Sequence, residues 1–173
     1  MHILSRLKLV KTFVFDIDGV LTDGGLLVDH ENNWLRRMNV RDGYALQLAV
    51  KSGFRIVVIS GSNPMEVANR LNKLGVEDVF MNVGHKEKFL RELAFKRNLA
   101  FSEMLYMGDD IPDLSCMKLV GLAACPADAV FEIKEVSSYI SHSRGGYGCV
   151  RDVIEKVLKL NNKWPLSTST PST

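Results

Sequence analysis

Short apolar runs alternate with stretches of helical spacing along most of the chain. The segments "TFVFD" (12–16), "RIVVIS" (55–60) and "MLYMGDD" (104–110) hold apolar residues at successive positions, the pattern of strands covered on both faces. Between them the period lengthens. Tyr44, Ala45, Leu48 and Ala49 fall at helical spacing that stops at Gly53, and Val67, Leu71 and Leu74 follow a helix start at Pro64. A shorter strand in "DVFMNV" (78–83) leads into a helix in "KEKFLRELAFKRN" (86–98), and another helix begins near Pro112. Weaker strands "GLAAC" (121–125) and "SYIS" (138–141) precede a closing helix in "VRDVIEKVLKL" (150–160). Strands alternating with helices pair in parallel, so the expected fold is a doubly wound, Rossmann-like α/β sheet with helices on both faces.

One segment breaks the alternation. Residues 25–39, "GLLVDHENNWLRRMN", are two short runs around a polar turn and predict a β-hairpin flap after the first strand. Residues 1–160 form one expected domain, and 161–173, "NNKWPLSTSTPST", read as a disordered tail in which Trp164 docks weakly or not at all. Composition alters this little. The chain has 173 residues, 46% hydrophobic and 24% charged, with a net charge of +2. That length suits a single sizeable core, and so small a charge does not point to nucleic acid or a membrane surface. The three cysteines, Cys116, Cys125 and Cys149, lack CxxC spacing and read as buried reduced thiols. The first fifteen residues are broken by charges and are expected to run straight into the first strand, with no signal peptide. No apolar run approaches the roughly 18 residues of a membrane span, and a cytoplasmic location is expected.

In parallel sheets, ligands bind beyond the carboxyl ends of the strands. Asp16 and Asp18 follow the first strand, Ser60 the second, Lys86 the third, and Asp109, Asp110 and Asp113 the "MLYM" strand. Carboxylates so close repel one another and resist desolvation, so they call for a hard cation, and an oxygen-only donor set favours Mg²⁺. A metal, a lysine and a serine hydroxyl make a cradle for a phosphate. A carboxylate aimed at phosphorus can form an aspartyl phosphate, and its neighbour two residues on can move the proton. A calcium loop starting at Asp16 fails, because Val20, Leu21 and Leu27 stand where an oxygen ligand, a glycine and a glutamate are needed. Lys88 competes with Lys86, and Asp110 suits a helix N-cap as well as metal support. Arg70 and Lys73 fit an exposed basic stripe as well as a binding role, and Asp23 suits a turn or flap anchor.

The motifs "DIDGVLTDG", "SG", the lysine and "GDDIPD", in that order at strand ends, resemble those of the haloacid dehalogenase superfamily of phosphohydrolases. The resemblance implies Asp16 as nucleophile and Asp18 as general acid/base with its backbone carbonyl on Mg²⁺. It further implies Asp109 as the third protein ligand supported by Asp113 or Asp110, with Ser60, Gly61 and Lys86 holding the phosphate. "DGVLTDGG", "NVRDGYALQLA", "YMGDDIPD", "CPADA" and "RGGYGCVRDV" are similar, more narrowly, to the 3-deoxy-D-manno-octulosonate 8-phosphate (Kdo 8-phosphate) phosphatases. That family implies no cap domain, a homotetramer, a hairpin covering a neighbour's site, and a step towards lipopolysaccharide inner core. Asn39, Arg41, Asp42 and Gly43 would line the sugar pocket, and Arg70 and Lys73 would reach the substrate from an adjacent subunit. One position departs: Ser62 stands where the family has arginine, or glutamate in a nonulosonic acid 9-phosphate phosphatase type, which is the alternative substrate class. A phosphorelay receiver would need its phosphorylated Asp after the third strand, which here ends in "NVGHK"; a non-catalytic scaffold is the remaining alternative.

Overall fold

A computed structural model describes residues 2–31 and 33–165. The uninterrupted apolar run of β1 (Thr12–Phe15) is explained by its place at the centre of a six-stranded sheet. The strand order is β5 (Asp78–Phe80), β4 (Arg55–Ile59), β1, β6 (Met104–Met107), β7 (Leu122–Cys125), β8 (Tyr139–Ile140), and every pairing is parallel. Alternate strand residues enter two cores. Phe13, Phe15, Ile56, Val58, Leu105 and Met107 pack with α1 (Ile3–Leu9), α2 (Val40–Lys51), α3 (Met65–Lys73) and α7 (Cys149–Leu160). Val14, Val57, Ile59, Met104 and Tyr106 pack with α4 (Lys86–Arg97), α5 (Leu114–Met117) and α6 (Phe131–Val136). The fold is the expected doubly wound α/β sheet, and among the described residues there is no cap domain.

The hairpin consists of β2 (Leu27–Val28) and β3 (Trp34–Leu35), paired antiparallel. Asp29 shapes its turn: Oδ1 accepts the backbone N–H groups of Glu31 and Asn33 at 2.8 and 2.9 Å, an Asx turn. Both strands are exposed, so nothing among the described residues covers their apolar side chains.

Three departures from the sequence reading have tertiary causes. The chain start does not run straight into β1 but forms α1, whose Leu7 is buried and whose Arg6 Nε donates to the Gly121 carbonyl at 2.8 Å. The short helix α6 follows β7, its Ile133 buried in the second core. The tail does not depart from the fold at residue 161: Trp164 packs edge-on against Tyr44, with ring centroids 6.3 Å apart, and Arg151 lies 5.2 Å over its ring. Residues 166–173 lie outside the described residues. All three cysteines are buried and unpaired.

Candidate active site

Asp16 leaves the end of β1 into a tight, kinked turn, Ile17–Leu21. The turn is broken at Asp18 (φ −73°, ψ 120°) and Gly19 (φ +84°). Glycine is required at position 19 twice over: the backbone is left-handed there, and a Cβ would overlap the carboxylate of Asp109. The loop after β6 can therefore press its acidic residue against the loop after β1.

Lys86, the first residue of α4, is buried between them. Its Nζ lies 2.8 Å from Oδ1 of Asp16 and donates to Oδ1 of Asp113 at 2.8 Å. The Tyr106 hydroxyl donates to the same Asp113 oxygen at 2.7 Å, and the Asp109 backbone N–H reaches its other oxygen at 3.3 Å. Carboxylate oxygens of Asp16, Asp109 and Asp113 lie within 4.8 Å of one another. Oδ1 of Asp109 is buried and has no hydrogen-bond partner.

Electrostatics follow from this crowding. Burial, then the Asp113 charge, push Asp16 up to about 7 against the pull of Lys86. Burial, with the charges of Asp16 and Asp113 behind it, takes Asp109 to about 8. Burial would lower Lys86, but Asp16 and Asp113 outweigh it and hold the ammonium protonated. All-oxygen donors, an orphaned buried oxygen and unrelieved negative charge fit a hard divalent cation such as Mg²⁺.

Asp18 faces the other way, towards the hairpin. Arg36 grips it as a fork, Nε to Oδ1 at 2.6 Å and Nη2 to Oδ2 at 3.3 Å. Ser62 Oγ donates to Oδ2 at 2.7 Å. Burial would raise Asp18, yet these donors prevail and hold its carboxyl below the ordinary value. Ser60 Oγ is 2.9 Å from Ser62 Oγ and accepts the Ser62 N–H at 3.1 Å. A cleft of about 560 Å³ opens here, lined by Trp34, Arg36, Ser62, Asn63 and Glu66 among others.

The residues singled out from sequence divide into those brought together and those with other work. Asp16, Asp109, Asp113 and Lys86 meet, and Ser60 and exposed Gly61 lie in the loop after β4. Lys88 is exposed, whereas Lys86 is buried against Asp16 and Asp113. Asp110, expected to support the metal, instead caps the following turn, its Oδ1 accepting the Ile111 N–H at 2.7 Å on the exposed side. Asn39 caps α2, with Oδ1 on the Arg41 N–H at 2.8 Å. Asp42, expected in a sugar pocket, is 2% exposed and accepts the Arg151 N–H at 2.7 Å where α2 meets α7. Gly43 is likewise buried, packed close to Leu74 and Arg70. In this chain both take part in the packing around α2. Arg41 is exposed; on α3, Arg70 is half-buried and Lys73 exposed.

Asp23 does anchor the flap: it accepts the Gly25 N–H at 3.0 Å and pairs with Arg37 at 2.6 Å, and Arg37 also bonds the Tyr147 hydroxyl. Gly145 and Gly146 sit against the backbone of Gly19, Thr22 and Asp23, bringing the "RGGYG" segment beside the loop that follows β1. Sequence reasoning missed Arg36 and Tyr106. Tyr106 carried the signal of a polar group within a buried strand; "LRRMN" carried none that distinguishes Arg36 from a solvated basic pair.

No family model matches the chain. It is 30% identical over 162 residues to the 3-deoxy-D-manno-octulosonate 8-phosphate phosphatase of Salmonella typhi, covering 94% of this chain and 86% of that protein. The crystal structure of the enzyme of that name from Moraxella catarrhalis, in complex with a magnesium ion, a phosphate ion and a KDO molecule, superposes with a TM-score of 0.89. It is 31% identical, over 94% of this chain and 95% of that one. The Yersinia pestis phosphatase of the same name gives a TM-score of 0.90 at 28% identity, covering 93% and 87%. With the Asp16–Asp18 loop, the buried lysine and the acidic loop all in place on a shared fold, the chain belongs to the 3-deoxy-D-manno-octulosonate 8-phosphate phosphatases of the haloacid dehalogenase superfamily.

Proposed function

We infer that the protein is a Mg²⁺-dependent phosphomonoesterase that hydrolyses 3-deoxy-D-manno-octulosonate 8-phosphate to Kdo and inorganic phosphate, a step towards lipopolysaccharide inner core. One observation carries the reading: buried Lys86 bridges Asp16 and Asp113 at 2.8 Å each, beside the orphaned oxygen of Asp109. That arrangement pairs a nucleophile with a phosphate anchor at a site for a hard cation. The Moraxella protein's magnesium, phosphate and KDO support the same chemistry here.

Asp16, Asp109 and the backbone carbonyl of Asp18 would hold Mg²⁺, with Asp113 fixing Lys86 and the Asp109 loop. Bound Mg²⁺ supplies counter-charge to the carboxylates and polarises the phosphoryl oxygens. Ser60, the loop at Gly61, and Lys86 hold and orient the phosphoryl group. With Oδ1 of Asp16 on Lys86, its other oxygen attacks phosphorus. The Asp16–phosphorus bond forms as the ester P–O bond breaks, and the departing oxygen takes a proton from Asp18. In the second half, water bonds phosphorus and gives its proton to Asp18, and the Asp16–phosphorus bond breaks. The proton that Asp18 gives up in the first half thus returns to it in the second.

The same reading includes a homotetramer. Leu26, Leu27, Val28, Trp34 and Leu35 of the hairpin are between 44% and 68% exposed, an apolar surface suited to another copy of the chain. Arg70 and Lys73 would then approach a neighbour's substrate.

The reading is tested by phosphate release from Kdo 8-phosphate, nonulosonate 9-phosphates, and simple hexose and pentose phosphates. Kdo 8-phosphate should be preferred, with turnover abolished by EDTA and by Asp16→Asn. Preference for a nonulosonate 9-phosphate would keep the mechanism and change the substrate. No turnover by folded protein in Mg²⁺ would overturn the reading.

A further inference from the structure

We propose that Arg36 is a positioning residue for the acid/base step: from the hairpin of its own chain it fixes the Asp18 carboxylate, with Ser62 securing the second oxygen. The inference rests on the phosphomonoesterase reading and adds to it a residue and a division of labour.

Arg36 stands out by burial. The hairpin strands are exposed, yet the Arg36 side chain is 6% exposed. Its guanidinium meets both Asp18 oxygens, and its remaining arm, Nη1, donates to the Trp34 carbonyl at 3.1 Å. A planar fork held at three points fixes the rotation of a carboxylate as well as its place, which a single ammonium cannot do. Side chains alternate along extended backbone, so the next residue, Arg37, points away, to Asp23 and Tyr147. The end of the hairpin is therefore tied to the catalytic loop on two sides.

The opposite flank of Asp18 is held by the loop after β4. Ser62 donates to Oδ2 and contacts Ser60, the proposed phosphate ligand. Its hydroxyl thus sits on the acid/base itself. Arg36 and Ser62, the two side chains that hold Asp18, both line one cleft of about 560 Å³.

The test compares two leaving groups. An alkyl ester such as Kdo 8-phosphate needs the Asp18 proton, whereas nitrophenolate departs from 4-nitrophenyl phosphate without one. Arg36→Ala should lower kcat on the alkyl ester about a hundredfold with KM unchanged, the scale of a misplaced catalytic group. On the aryl ester it should keep a first-turnover burst of nitrophenolate at the wild-type rate. Slow turnover should follow, because water activation still uses Asp18. Arg36→Lys should recover only part of kcat, and Ser62→Ala should show the same split with a smaller loss. Equal losses in burst and turnover, a change confined to KM, no change, or full recovery by lysine would each overturn the proposal. Absence of turnover by the wild-type chain would overturn the functional reading and this inference with it.

Discussion

At Gly19 the demands of backbone and site coincide. A side chain there meets a left-handed φ of +84° and the Asp109 carboxylate together. Gly19→Ala should therefore destabilise the fold by about 1–3 kcal/mol and weaken Mg²⁺ binding as Asp109 is displaced. Thermal melts and calorimetric Mg²⁺ titration would check both; wild-type affinity in the variant would show that the close approach is dispensable. Asp16, Asp109 and Lys86 were legible as residues because each follows a strand at the same edge of the sheet. Asp110 was not, since a capping aspartate and a ligating one occupy the same place in a strand–loop–helix sequence. Ser62 was visible only as a departure, and its bond to Asp18 depends on two loops 44 residues apart meeting.

At the level of elements, the packing of α2 on α7 centres on Asp42. Burial pushes this carboxyl up to about 6, against the backbone N–H groups of Arg151 and Gly148 and the Arg151 charge, and its Oδ2 has no partner. The sign follows from where the proton sits. In the unfolded chain Asp42 ionises near 3.8; in the folded chain it keeps its proton until about 6. Across that window folding takes up a proton, so this group's contribution to stability declines as pH rises from about 4 to about 6 and stays low above it. The decline has an upper bound of about 3 kcal/mol, at 1.36 kcal/mol per pKa unit. Asp42→Asn should remove this slope in denaturant unfolding measured across that range. An unchanged slope would place the cause elsewhere. The helix in "NVRDGYALQLA" was readable from its apolar spacing; that Asp42 points into a helix–helix contact was not, because a helix start offers a pocket and a neighbour the same polar residues.

For the whole molecule, the exposed hairpin sets the expected assembly. Sedimentation of the wild-type chain should give a tetramer, and replacing Leu27 and Trp34 together by serine should give smaller species with an unchanged melting transition in the monomer. A wild-type monomer would remove the oligomeric part of the functional reading. No helix among the described residues is long and apolar enough to cross a membrane. The central strands were legible because β1, β4 and β6 are covered on both faces and so carry no polar alternation. The periphery was less so. α1 is seven residues long and held by one buried leucine and an arginine reaching Gly121, contacts 115 positions apart that leave no local trace.

The sequence by itself determined the parallel α/β sheet and the edge of it where the chemistry lies, because apolar runs, helical spacing and strand-end carboxylates are local properties. The order of its four motifs also pointed, through a family resemblance, to the reaction class. Tertiary structure alone decided which groups hold those residues in place. Arg36 on Asp18, Tyr106 on Asp113, Asp42 between helices and Trp164 on Tyr44 are contacts between elements distant in the chain. Their energies come from burial and from hydrogen bonds made away from water, and those conditions exist only once the sheet, the helices and the hairpin have come together.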